Sequence, residues 1–393
     1  MPAVHKADAY FCRMSVIPDK LPFVGTTIFT TMSALATETG AINLGQGFPD
    51  FSMSPVLTDL VCQAMRDQHN QYAPMAGWLP LREAIAEKID FLYGARVNPA
   101  TEITITPGGT YAIYTALTCL LQPGDEVIVF EPAYDSYIPN IVVNGAKPVL
   151  IPLTDQFRIP WQQVTAAITE RTRAIIINSP HNPTGTILHD DDIAALQQLI
   201  QDHPLYIISD EVYEHLVFDQ QPHRSILAHP VLRARAFVCF SFGKTYHCTG
   251  WKIGYAVAPP ALSSLFRKLH QFNCFSCHTP VQVALATYLQ HREAYLELGK
   301  TMQAKRDYFL SLLQNSRFDF LHSGGSYFIC ARYHRIHDGN DAAFAEWLTR
   351  QHGVATIPLS AFYQQKTDSK LIRFCFAKAD STLELAAKKL CAV

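Results

Sequence analysis

Between residues 102 and 258 the chain alternates short apolar runs with stretches of helical periodicity, and few folds accept that alternation. Glu102-Ile103-Thr104-Ile105-Thr106, Glu126-Val127-Ile128-Val129-Phe130, Pro148-Val149-Leu150-Ile151, Ala174-Ile175-Ile176-Ile177 and Tyr206-Ile207-Ile208-Ser209 read as strands. The runs around Val238 and Ala256 read likewise. Tyr111 to Leu121, Trp161 to Ile168, Asp190 to Gln201 and Leu262 to Gln271 read as helices. Strands that alternate with helices predict an α/β fold, with a mostly parallel sheet covered by helices on both faces.

The two ends read differently. Leu21 to Glu38 and Asn43 to Phe51 suggest an arm and a loop, and from Thr279 a helical pattern runs to Gln314. Short strands follow at Ser326-Tyr327-Phe328-Ile329-Cys330 and Leu371-Ile372-Arg373-Phe374-Cys375. We therefore expect a large domain over residues 60–289. Residues 19–59 and 290–393 would build a smaller α+β domain from both termini, and residues 1–18 a flexible tail, with Met14 as an alternative start.

Composition narrows the function. A chain of 393 residues that is 48% hydrophobic and 17% charged supports a large core and argues against disorder. A net charge of −2 with no basic run makes nucleic acid and anionic membrane poor partners. No apolar stretch reaches the roughly 20 residues that cross a bilayer, and the first residues lack a secretory apolar segment. The 10 cysteines are scattered, several within apolar runs, as expected of reduced thiols in a cytoplasmic protein. Cys274 and Cys277 form a C-x-x-C, but no second pair stands at zinc-ligand spacing. Ordinary packing is the expectation there, and no metal is expected.

Five motifs fall at the ends of strands, where open parallel sheets bind ligands. Thr106-Pro107-Gly108-Gly109-Thr110 opens a helix and suits a phosphate, though a tight capped turn fits as well. Glu131-Pro132-Ala133-Tyr134-Asp135 offers Tyr134 to a flat ring, although a lone tyrosine is more often core or rim. Asn178-Ser179-Pro180-His181-Asn182-Pro183-Thr184-Gly185 aims Asn182 at the crevice, or is simply a turn. Asp210 in Ser209-Asp210-Glu211-Val212-Tyr213 needs a positive partner if buried, or caps a helix. Ser241-Phe242-Gly243-Lys244-Thr245 sets one lysine in a glycine-punctuated loop with Lys252 eight positions on, a pattern that suits a Schiff-base lysine beside a phosphate.

Taken together in this order, the five motifs resemble the class I/II aminotransferases of fold type I, which use pyridoxal 5'-phosphate, over residues from about 21 to 378. Leu44-Gly45-Gln46-Gly47-Phe48-Pro49-Asp50-Phe51, Asn70-Gln71-Tyr72-Ala73-Pro74 and Ser241 to Tyr255 are similar to the kynurenine/glutamine-transaminase-K branch, and within it to bacterial methionine aminotransferases. The resemblance implies a mostly parallel seven-stranded sheet. It implies that Lys244 bonds the cofactor and moves protons, that Asp210 pairs with its ring nitrogen, and that Tyr213 and Asn182 bond its phenolic oxygen. Tyr134 would stack on the ring. Ser241, Lys252, Gly109 and Thr110 would hold the phosphate, with Tyr72 reaching in from the other subunit of a homodimer that shares its active sites.

Arg373, with Asn182 and Gly47, would bind the substrate carboxylate; a structural ion pair is the alternative for Arg373. Phe29, Phe48, Phe275 and Phe362 are candidates for the side-chain pocket, or for plain core. The kynurenine branch often has histidine after its equivalent of Phe275. Ser276 stands here, which turns the expected donor toward methionine or another large apolar or aromatic amino acid, with a 2-oxo acid as acceptor. Two rivals remain: a carbon–sulfur β-lyase on the same cofactor, and a non-catalytic cofactor-binding regulator. Regulators of this sort usually carry an added DNA-binding domain, for which the short N-terminus is expected to leave no room.

Overall fold

The computed structural model describes residues 18–393. The expected tail over residues 1–18 and the alternative start at Met14 lie, but for Pro18, outside the described residues.

After the two-residue β1 (Ile42–Asn43), seven strands form the large sheet. They are β2 (Ile103–Thr106), β3 (Glu126–Glu131), β4 (Lys147–Pro152), β5 (Thr172–Asn178), β6 (Tyr206–Asp210), β7 (Ala236–Ser241) and β8 (Gly254–Val257). Their order in space is β2-β8-β7-β6-β5-β3-β4. The strands β3 to β7 pair in parallel. β8 runs antiparallel to both β7 and β2, so it alone is reversed.

Alternation along each strand feeds two cores. Ile175, Ile177, Ile207, Val238 and Phe240 face one of them, together with helices Pro55–Arg66, Leu79–Tyr93 and Thr279–Tyr288. Ala174, Ile176, Ile208, Phe237 and Cys239 face the other, with helices Gly109–Leu120 and Pro260–Asn273. Apolar residues on both strand faces are what a sheet covered on two sides requires.

A second, antiparallel sheet has the order β12-β13-β10-β9, from β9 (Asp319–Phe320), β10 (Phe328–Arg332), β12 (Ile357–Pro358) and β13 (Leu371–Cys375). Between β10 and β12, β11 (Val354–Ala355) pairs in parallel with β1, joining the two ends of the chain. Arg373 lies on β13 between Cys330 and Ile357.

The ends correct the sequence reading. The expected arm holds a helix, Ile28–Thr39, capped where Thr27 Oγ1 accepts from the Thr30 amide. The long helical pattern from Thr279 breaks into Thr279–Tyr288, Glu293–Leu296 and Leu298–Leu312. The first piece packs on the large-sheet core and the last on the core of the second sheet, which one straight helix could not serve. Strand β10 starts at Phe328, two residues late, because Ser326 is left-handed (φ 67°) and Gly325 bridges to Val217 instead.

Beneath the loop that follows β6 lies a buried ion pair. Lys88 Nζ bonds Glu214 and donates to Tyr255 Oη at 2.9 Å, while Tyr93 Oη donates to Glu214 Oε2 at 2.5 Å. Burial pushes the Glu214 carboxyl up, but Lys88 and His215 outweigh it and hold it at about 2. Replacing Glu214 with Gln strands the Lys88 charge and should cost about 3–5 kcal/mol. Calorimetry should show a clearly lower Tm, and an unchanged Tm would mean the pair contributes nothing. The carboxyl is depressed in the fold, so this stabilisation is full above about pH 4.5 and fades as pH falls toward 2.

Candidate active site

The carboxyl ends of β2, β3, β5, β6 and β7 open on one edge of the large sheet. Reversed β8 starts at that edge, with Gly254 opposite Thr106 and Ser241. Lys252, two residues earlier, is thereby returned to the strand ends. The cleft at this edge encloses about 280 Å³. Of the catalytic, cofactor and carboxylate residues expected from the sequence, all but Tyr72 line it. Tyr72 stands 79% exposed against the edge of Phe275, at 5.1 Å between ring centres.

Lys244 sits on the short helix Phe242–Thr245 that follows β7. Its Nζ donates to the Gly47 carbonyl at 2.8 Å and lies over the Tyr213 and Tyr327 rings at 5.5 and 5.7 Å. Burial, aided by the Arg373 and Lys252 charges, lowers the ammonium to about 8. Tyr327 Oη donates to the Lys244 carbonyl at 2.6 Å and fixes the backbone behind it.

Asp210 ends β6 and is 4% exposed. It accepts from Tyr137 Oη at 2.5 Å and from the Val212 amide at 3.3 Å, and among the described residues no cation pairs with it. Burial raises its carboxyl to about 6. A buried acid facing a cleft without a counter-charge fits a cationic ring nitrogen.

The helix Gly109–Leu120 begins in the cleft with no side-chain cap on its first amides. A Cβ on Gly109 would stand 2.7 Å from Val212 Cγ1, so glycine permits this close start. Lys252, left-handed at φ 49°, brings Nζ to 3.6 Å from where a Gly108 Cβ would be. With Ser241 beside them, free helix amides and a lysine are groups that suit a phosphate. Tyr134 Oη meets Thr110 Oγ1 at 3.5 Å along the same wall.

Arg373 is 1% exposed. It donates from NH1 to Asn182 Oδ1 at 2.8 Å and from NH2 to the Gly45 carbonyl at 2.7 Å, while Nε has no partner. Phe328 lies 3.9 Å from the guanidinium carbon, with Phe362 and Phe29 at 5.0 and 5.3 Å. Burial lowers it to about 10. No carboxylate pairs with it among the described residues, so the structural ion pair weighed from the sequence is not formed. A buried guanidinium with an unused N–H fits a carboxylate that arrives from solvent.

Phe29 and Phe48 line the cleft, and Phe362 packs edge-on behind Phe29 at 5.8 Å. Phe275 does not line it and is 41% exposed. Gly47 spends its carbonyl on Lys244, and Gly45 takes the place beside Arg373. Tyr137, Tyr327, Phe328 and Gly45 were not singled out from the sequence. Tyr137 had a usable signal, three residues after Tyr134 at the start of a helix; the other three had none.

The comparisons agree with this geometry. Residues 39–390 match the model of the family "Aminotransferase class I and II". Methionine aminotransferase of Escherichia coli is 49% identical over 373 residues, 94% of this chain and 97% of that protein. A solved Escherichia coli structure described as having a methionine aminotransferase function superposes with a TM-score of 0.94 at 48% identity, over 96% of this chain and 100% of that one. Kynurenine–oxoglutarate transaminase 1 of Mus musculus is 31% identical over 91% of this chain and 93% of that protein. No described helix is long and apolar enough to cross a membrane. Matches of this length carry the cleft and both sheets into one family: the chain belongs to the class I and II aminotransferases, pyridoxal 5'-phosphate-dependent enzymes of fold type I.

Proposed function

We propose that this aminotransferase takes methionine, or another large apolar or aromatic amino acid, as donor and passes its amino group to a 2-oxo acid in a ping-pong cycle. The observation that carries the reading is Arg373. It is a buried cation without an anion, ringed by Phe29, Phe328 and Phe362, in the same cleft as Lys244. One guanidinium suits one carboxylate, and the phenyl rings suit an apolar side chain.

Bound pyridoxal 5'-phosphate supplies a reactive aldehyde and a ring that draws electrons from the bonds at Cα. The chain's residues do the rest. Gly109, Thr110, Ser241 and Lys252 bind the phosphate. Tyr134 covers the ring. Asp210 would face the ring nitrogen, the opposite charges holding the carboxyl ionised and the nitrogen protonated. Tyr213 stays protonated, since burial pushes its hydroxyl well above 10, and with Asn182 it donates to the phenolic oxygen. Arg373 and Asn182 orient the substrate carboxylate, with the backbone at Gly47 beside them. Lys244 Nζ would take the Cα proton and deliver it to the cofactor's C4′ carbon, and its lowered pKa favours the neutral amine that accepts it.

We further infer a cytoplasmic homodimer in which Tyr72 of one subunit reaches the phosphate of the other; the exposure of Tyr72 outside its own cleft supports this. The division into residues 60–289, and 19–59 with 290–393, belongs to the same proposal.

A panel of donors and acceptors tests the reading: kcat/KM for methionine should exceed that for aspartate by about tenfold or more. Equal values would sink the preference. Release of pyruvate and thiol from cystathionine without an oxo acid would mark a lyase instead. Lys244→Ala should abolish turnover and the borohydride-fixed pyridoxyl label. In apo protein that labelling should rise with pH through about 8, because the neutral amine attacks; a flat profile would refute the lowered pKa. Arg373→Ala should raise KM for amino acids by at least about thirtyfold, with far less effect on cofactor binding. An unchanged KM would return Arg373 to a structural role.

A further inference from the structure

The C-x-x-C pair read from the sequence as packing acquires a third member in the fold. One ligand atom each from His270, Cys274 and Cys277 lies within 4.8 Å of the others. We propose that these three side chains form a site for a thiophilic divalent cation of the Zn²⁺ class, separate from the cofactor cleft.

Tetrahedral zinc sets thiolate and imidazole ligand atoms about 3.5–3.8 Å apart, so small rotations of two thiol side chains close the set. His270 is fully buried, and its Nε2 has no hydrogen-bond partner. Its Nδ1 meets Tyr111 Oη at 3.0 Å. If Nδ1–H donates to that oxygen, a lone pair is left on Nε2, and second-shell bonds of this kind tune metal-binding histidines.

Cys274 caps the carboxyl end of the 14-residue helix Pro260–Asn273, where the backbone favours positive charge. The nearby Arg267 guanidinium is turned to Thr104 Oγ1 and the carbonyls of Ala100 and Ile103, at 3.0, 2.8 and 2.6 Å. A cation here ties the helix to the turn that holds Phe275 in a left-handed conformation (φ 69°). That turn is already stitched to the Tyr72 segment: Thr279 Oγ1 donates to the Gln71 carbonyl at 2.7 Å and accepts from the Ala73 amide at 2.9 Å. The cation therefore clips together the two segments that present Tyr72 and Phe275.

Reduced holoenzyme, stripped of metal by a chelator, is titrated with Zn²⁺ against a chromogenic competitor, and separately with Co²⁺. About one equivalent per chain should bind, and Co²⁺ should show the visible bands of tetrahedral thiolate coordination. Cys274→Ser and Cys277→Ser should each weaken binding at least tenfold, while the double variant Cys62→Ser, Cys391→Ser, which removes the two exposed thiols among the described residues, should bind as the parent does. Substoichiometric binding, wild-type affinity in both site variants, or reduced protein without thiolate–cobalt bands would overturn the proposal. So would a Cys274–Cys277 disulfide in the freshly purified protein. The cobalt spectrum needs no variant, so a folding defect in one of them does not shield the idea.

Discussion

Six strands of the large sheet run one way, and β8 is wedged between β2 and β7 against them. A parallel strand ends where the next helix begins, so carboxyl ends and free helix amides gather on one edge. That edge receives Asp210 from β6, Lys244 from after β7 and the amides after β2. A reversed strand adds something the parallel ones cannot. It begins where they end, so the residues just before it, Lys252 among them, also reach the edge. Without the reversal, Lys252 would not reach this edge.

The cleft gathers Asp210, Lys244 and Arg373, none of them in an ion pair among the described residues. Lys88 and Glu214 are buried as a pair, each meeting the other's charge. Asp210, Lys244 and Arg373 are not paired in this way, and burial drives all three toward their neutral forms: to about 6, 8 and 10. The contrast separates structure from function within a few residues of one loop, since Asp210 and Glu214 are four apart. The paired acid holds the loop, while the unpaired one faces the cleft.

How much of this was legible follows from sequence distance. Strand ends announce themselves locally, which is why Asp210, Asn182, Lys244 and Lys252 could be read from runs of a few residues. The buried place of Arg373 was readable because a charge interrupts the apolar run Leu371 to Cys375. Its partners were not: the Gly45 carbonyl lies 328 residues away, and Phe328 looks like any core phenylalanine. The helix Ile28–Thr39 was taken for an arm because its apolar face is short, with only Met32, Leu35 and Ala36 buried. His270 escaped notice beside Cys274 for a related reason. Helical spacing brings the two together, but only the turn after Asn273 brings Cys277 back to them.

Unpaired buried charge destabilises a fold, so its persistence needs a cause. The large sheet and its two helix layers tolerate the strain, being long apolar strands covered on both faces. Ligands remove it. A species that binds only the folded state stabilises that state by its occupancy. In the function proposed, both stranded groups have a complementary charge on a ligand: ring nitrogen for Asp210 and carboxylate for Arg373. The energy withheld from folding is thereby available for orienting what binds. A cleft satisfied by its own residues would be more stable alone and would hold its substrates less firmly, because each ligand charge would first have to displace an internal partner.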